Sequence, residues 1–159
     1  MILYFLRHAE AESGDGADEE RRLTPAGEAS MGAAGPLLAR LNLRPDVILS
    51  SPLARARRTA EIVAEALERT VVVDRRLRPG ADWGGFARAM VDHPDARRVL
   101  FVGHEPDLSQ TVALLTGATS VRMRAGAIAC VEFYGTPEPG SGELAWLLDP
   151  DLYHDRNGD

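Results

Sequence analysis

Ile2-Leu3-Tyr4-Phe5-Leu6-Arg7-His8 is the stretch from which the fold can be read. Five apolar residues in a row, with no polar alternation, predict a buried strand of the kind covered by helices on both faces. The strand ends abruptly on a guanidinium and an imidazole. The same change recurs at Val47-Ile48-Leu49, which runs into Ser50-Ser51-Pro52-Leu53-Ala54-Arg55. It recurs again at Val99-Leu100-Phe101-Val102, which runs into Gly103-His104-Glu105-Pro106. In open α/β sheets, ligands bind outside the carboxyl ends of strands, at the switch in strand order. Three polar clusters in that position can meet in one crevice.

Outward from these strands, the chain alternates short β-rich runs with longer amphipathic ones, which predicts an α/β sheet with helices on its faces. Residues 11–23, rich in Gly, Glu, Asp and Arg, read as an exposed loop. Thr24 then supplies an N-cap and Pro25 a first helical residue, with helical spacing to about Leu41. Leu53 to about Glu68 buries one face of a second helix. Val71–Val73 is a third strand, Phe86–Val91 a short helix, and Pro106 opens a helix to about Leu115. Ile128–Tyr134 and Leu144–Leu148 form a hairpin at a sheet edge. No repeat or linker divides the chain, so residues 1–159 read as one domain, with a loosely held tail after Pro150.

Composition removes several function classes. The net charge of −6 argues against nucleic acid as a partner. All 18 basic residues are Arg, so lysine Schiff bases, P-loop lysines and lysine general bases are absent. One Cys permits no internal disulfide, and no run approaches the roughly 18 apolar residues of a membrane span. Met1–Leu6 is too short for a signal peptide. A soluble cytoplasmic protein without a membrane partner is expected. Cys130 with His93 and His154 lacks zinc-ligand spacing, and no Gly-x-Ser-x-Gly elbow surrounds Ser13, Ser50 or Ser51, so neither a metal nor a serine-hydrolase site is expected. Trp83 and Trp146 read as core, His93 and His154 as solvated, and Arg57 as the i,i+4 partner of Glu61.

Two His and two Arg around one point suit a small, highly charged anion, and phosphate fits best. Planar Arg forks match its oxygens two at a time. A neutral imidazole can attack phosphorus and split one displacement into two easier ones. Fixed cations aimed at the equatorial oxygens then supply most of the catalysis.

At this point the residues resemble a known family. Leu6-Arg7-His8-Ala9-Glu10 is similar to the Arg-His-Gly signature of the histidine phosphatase (phosphoglycerate mutase-like) superfamily. Ser51-Pro52-Leu53-Ala54-Arg55-Ala56-Arg57-Arg58-Thr59 resembles its Ser-Pro-x-x-Arg-x-x-x-Thr element, and Val102-Gly103-His104-Glu105-Pro106 its second-histidine element. Leu23-Thr24-Pro25-Ala26-Gly27 matches its usual lead into the first helix, and the four motifs follow the family's order. The resemblance implies a three-layer fold with a mostly parallel six-stranded sheet, one antiparallel strand, and helices on both faces. It implies His8 as the phosphorylated nucleophile, Arg7 and Arg55 as phosphate ligands, His104 as a further ligand, and no cofactor. Ala9 departs from the family's usual Gly, while Ala11 and Gly14 occupy stretches where mutases carry Thr and Asn.

About 25 residues separate Val73 from Val99, too few for the lid insertion of mutases and sugar bisphosphatases. In this the chain resembles the small SixA-type phosphohistidine phosphatases, which implies a phosphorylated protein as partner. Ester cleavage needs a proton for the leaving oxygen. Glu105, directly after the second histidine, and Asp82, in the loop after the third strand, are both candidates for the acid. A phosphoramidate leaving group can protonate from water and tolerates a poorly placed acid. A general phosphomonoesterase acting on a small phosphate ester and a catalytically quiet phosphate-binding module are the alternatives. The sequence carries no signal for oligomeric state.

Overall fold

Six strands form one sheet in the order β3-β2-β4-β1-β5-β6 in the computed structural model, which describes residues 1–13 and 17–153. The expectations for Gly14 and His154 fall outside these residues. In chain order the elements are β1 (Ile2–Arg7), α1 (Pro25–Arg40), β2 (Val47–Ser50), α2 (Ala54–Ala66), β3 (Val71–Val73), α3 (Trp83–Val91), β4 (Arg98–Gly103), α4 (Asp107–Thr116), β5 (Ile128–Glu132) and β6 (Glu143–Leu148). β1 pairs parallel with β4, and β2 pairs parallel with both β3 and β4. β5 is antiparallel to both β1 and β6, so it alone runs against the rest, and the fold class is the one the sequence implies.

Each central strand is apolar along its middle because it feeds two cores. Tyr4, Leu6, Ile48, Leu100 and Val102 pack against Met31, Leu38, Ala60 and Val63 of α1 and α2. Leu3, Phe5, Leu49, Val99 and Phe101 pack against Phe86 of α3 and Leu108, Val112 and Leu115 of α4. The period of two along a strand assigns alternate residues to opposite faces. Phe5 stacks on Phe101 at 5.5 Å and meets Phe86 edge-on at 6.0 Å, which fixes β1 against β4 and α3. Trp83 and Trp146 are partly buried against the two cores.

The chain leaves β1 for α1 on one face and leaves β4 for α4 on the other. Those strands are neighbours, so their carboxyl ends form the switch point at which a crevice opens. Residues 74–97, between β3 and β4, hold only a 3₁₀ turn at Arg75–Leu77 and the nine-residue α3. Of the tail after Pro150 the described part ends at Tyr153, which is buried and whose hydroxyl donates to the Gly126 carbonyl at 2.6 Å; the rest of that expectation lies outside the described residues.

Candidate active site

The β1–β4 register pairs Arg7 with Gly103, so the next residue on each strand is a histidine at the same level. The His8 amide donates to the Gly103 carbonyl at 3.0 Å, and the two rings lie 5.3 Å apart, centroid to centroid. β2 ends beside them, with the Ser51 amide donating to the Val102 carbonyl at 3.0 Å. The Ser51 hydroxyl meets Nε2 of the buried His104 at 2.8 Å. Two strand ends thus deliver both imidazoles, and the third supplies a hydroxyl that orients one of them.

Nδ1 of His8 lies 2.7 Å from the Ala9 carbonyl. A carbonyl only accepts, so in the neutral ring Nδ1 carries the proton and Nε2 keeps its lone pair. That lone pair faces Nε of Arg55, which donates to it at 3.3 Å. Arg55 stands in the first turn of α2, and Thr59, one turn on, accepts from the Ala9 amide at 3.1 Å. The Arg-x-x-x-Thr spacing therefore places a guanidinium and a backbone anchor on the same helix face beside His8. Nothing at position 9 demands glycine, since the only non-glycine residues with positive φ among those described are Asn42 and Glu68. Arg7 donates through Nη1 to the Met123 carbonyl at 2.9 Å. Its Nε, like Nδ1 of His104, is buried with no hydrogen-bond partner among the described residues.

A cavity of about 410 Å³ opens over these groups, lined by Arg7, His8, Arg55, His104 and Glu105 among others. Burial pushes His8 down to about 4; the Ala9 carbonyl bond opposes this, and the nearby Arg55 and Arg7 charges add to it. Burial, then the neighbouring His8 and Arg55, pushes His104 down to about 3. Both rings are neutral near pH 7, as an attacking nitrogen requires.

The two acid candidates are placed differently. Glu105 lines the cavity and accepts from the Ser109 amide at 3.1 Å, steadying the start of α4. Asp82 is the N-cap of α3, accepting from the Gly85 amide at 2.9 Å, and is not among the cavity's lining residues. Asp107, buried in the first turn of α4, accepts from the Gly80 amide at 2.8 Å and ties the loop before α3 to α4. Among the lining residues that escaped the sequence reading are two charged ones, Asp18 and Arg21, from the loop at 11–23. Their i,i+3 opposite charges were the only signal, and exposed loops commonly carry such pairs. Among the described residues, no group of three His, Cys, Asp or Glu could hold a metal ion. No helix among them is long and apolar enough to cross a membrane.

With sheet order, switch point and paired histidines in place, the chain belongs to the histidine phosphatase superfamily (branch 1), whose model it matches over residues 3–89. Within that class it is similar to the protein histidine phosphatase SixA solved with tungstate, at 26% identity and a TM-score of 0.83, over 97% of this chain and all of that one. A SixA-type structure from Nakamurella multipartitia aligns at 27% identity and a TM-score of 0.82, over 94% of this chain and 95% of its own. An uncharacterized protein of Picosynechococcus sp. is 42% identical over 117 residues, covering 69% of this chain and 70% of the relative.

Proposed function

We propose that this chain is a metal-independent phosphohydrolase that works through a phosphohistidine intermediate on His8. It acts on phosphohistidine displayed by a protein partner in the cytoplasm. The observation that carries the reading is the Nε2 lone pair of His8, fixed by the Ala9 carbonyl at 2.7 Å and aimed at Arg55. In the first step Nε2 bonds to phosphorus while the bond to the leaving atom breaks, its electron pair departing with the leaving group. In the second, water attacks phosphorus, the N–P bond breaks, and Nε2 recovers its lone pair. Arg7 and Arg55 hold the equatorial oxygens, and Nδ1 of His104 is a further donor toward them. Glu105 exchanges the leaving-group proton in ester cleavage, a role supported by its position in the cavity lining, which Asp82 does not share.

The SixA likeness and the short β3–β4 connection, whose longest element is the nine-residue α3, both support a protein-borne substrate. A small phosphate ester is the second reading, favoured by a cavity large enough to enclose one. Comparing turnover of a phosphohistidine peptide with that of sugar phosphates separates the two. The experiment for the activity itself is hydrolysis of an aryl phosphate by wild type and His8→Ala. The variant is expected to be inactive; a variant that retains turnover places the nucleophile elsewhere.

A further inference from the structure

Each nitrogen of the Arg55 guanidinium makes one hydrogen bond, which leaves one N–H on each of Nη1 and Nη2 for phosphoryl oxygens. Nε faces His8 Nε2 at 3.3 Å, Nη1 donates to the Asp18 backbone carbonyl at 2.6 Å, and Nη2 donates to Asp18 Oδ2 at 3.1 Å. The other carboxylate oxygen of Asp18 accepts from Arg21 Nε at 2.9 Å. One carboxylate thus bridges two guanidinium groups of the phosphoryl cavity. The Arg55 side chain is only 5% exposed and that of Asp18 56%, so Asp18 stands at the mouth and Arg55 at the floor. Bonds from Arg21 and Arg55 hold the Asp18 carboxyl below the usual range, so it is an anion there.

We propose that Asp18 sets the substrate preference of this site, its carboxylate receiving the distal N–H of an N-phosphoryl imidazole and so favouring phosphohistidine over phosphate esters. The inference rests on the phosphoryl-transfer reading given above. In-line displacement places the leaving atom opposite the attacking nitrogen. His8 adjoins the buried Arg55 while Asp18 is exposed, so the leaving group lies toward the mouth, on the side of Asp18. Oδ1 accepts from both Nε and Nη2 of Arg21, whereas Oδ2 accepts from Arg55 and keeps a lone pair for the incoming N–H.

The electron count explains the preference. When the distal ring nitrogen carries a proton, attack by His8 Nε2 forms one N–P bond and breaks another. The electron pair of the broken bond returns to the departing ring, which keeps its distal proton and leaves neutral. A carboxylate at that proton raises the fraction of substrate in this ready state. An ester offers no such donor, and its leaving oxygen gains negative charge toward a carboxylate. The same carboxylate repels a free phosphate dianion.

The test measures kcat/KM of wild type and Asp18→Asn for a phosphohistidine peptide and for 4-nitrophenyl phosphate, with Ki for inorganic phosphate. Asparagine keeps the backbone acceptor for Arg55 and removes the charge at an exposed position. The ratio of peptide to aryl-phosphate kcat/KM is expected to fall about tenfold or more, the worth of one charge-assisted hydrogen bond. Phosphate is expected to inhibit the variant more strongly. An unchanged ratio, or both substrates falling together while phosphate binds more weakly, shows that Asp18 merely braces Arg55 and overturns the proposal. A wild type that turns over neither compound overturns the underlying catalytic reading, and the inference with it.

Discussion

His8 and His104 are oriented by different partners, and each arrangement can be probed separately. The Ser51 hydroxyl faces Nε2 of a buried imidazole and also accepts from the Leu53 amide at 3.3 Å. Ser51→Ala strips both groups of a partner and should cost about 1–3 kcal/mol of stability. Urea unfolding checks this; an unchanged midpoint shows that the hydroxyl is dispensable. The rings themselves are held neutral by burial, His8 down to about 4 and His104 to about 3. NMR of the imidazole carbons should therefore show neither ring titrating between pH 8 and 5.5, about one unit or more above those values. Midpoints near the ordinary 6.5 contradict the burial argument. Arg7, His8, Arg55 and His104 were legible in sequence because each stands at or just beyond the end of an apolar strand, where the pattern changes sharply. Asp18 and Arg21 were not, because a loop without periodicity reaches the cavity only through tertiary contacts.

At the scale of elements, close approaches place the site. An added Cβ on Gly27 of α1 would lie 2.2 Å from the Glu10 carbonyl oxygen, in the segment just after His8. Gly27→Ala must push α1 off that segment and should cost about 1–3 kcal/mol, the usual penalty of overpacking. It should also lower activity, since His8 and Ala9 belong to the same stretch; thermal unfolding with an aryl-phosphate assay checks both. A variant with wild-type stability and rate shows that the contact relaxes freely. Element identities were readable from the sequence, while several ends were not. β1, β2 and β4 each run one residue further, to Arg7, Ser50 and Gly103, because backbone ladders continue regardless of side-chain polarity. α3 begins at Trp83, three residues before the expected Phe86. Gly84 and Gly85 hid that start, which rests on the Asp82 cap rather than on helix propensity.

The whole molecule carries the cost of keeping two imidazoles neutral. In the unfolded chain they protonate near 6.5, whereas in the fold burial delays this to about 4 and about 3. Between those values the unfolded state binds more protons, so stability present above pH 6.5 is lost progressively as pH falls toward 4 and 3. The thermal midpoint should drop from pH 7.5 to about 5, and a His8→Gln, His104→Gln double variant should show a flatter dependence. Equal slopes in the two proteins place the acid sensitivity elsewhere. The burial of β1 and β4 between two helical layers thus keeps both imidazoles neutral and ties stability to pH. The most direct test of the whole account is to quench wild type during turnover of a ³²P-labelled substrate and map the label. Acid-labile, alkali-stable phosphate on the peptide containing His8 is the predicted result. Base-labile acyl phosphate on a carboxylate, or label on His104 in place of His8, would contradict it.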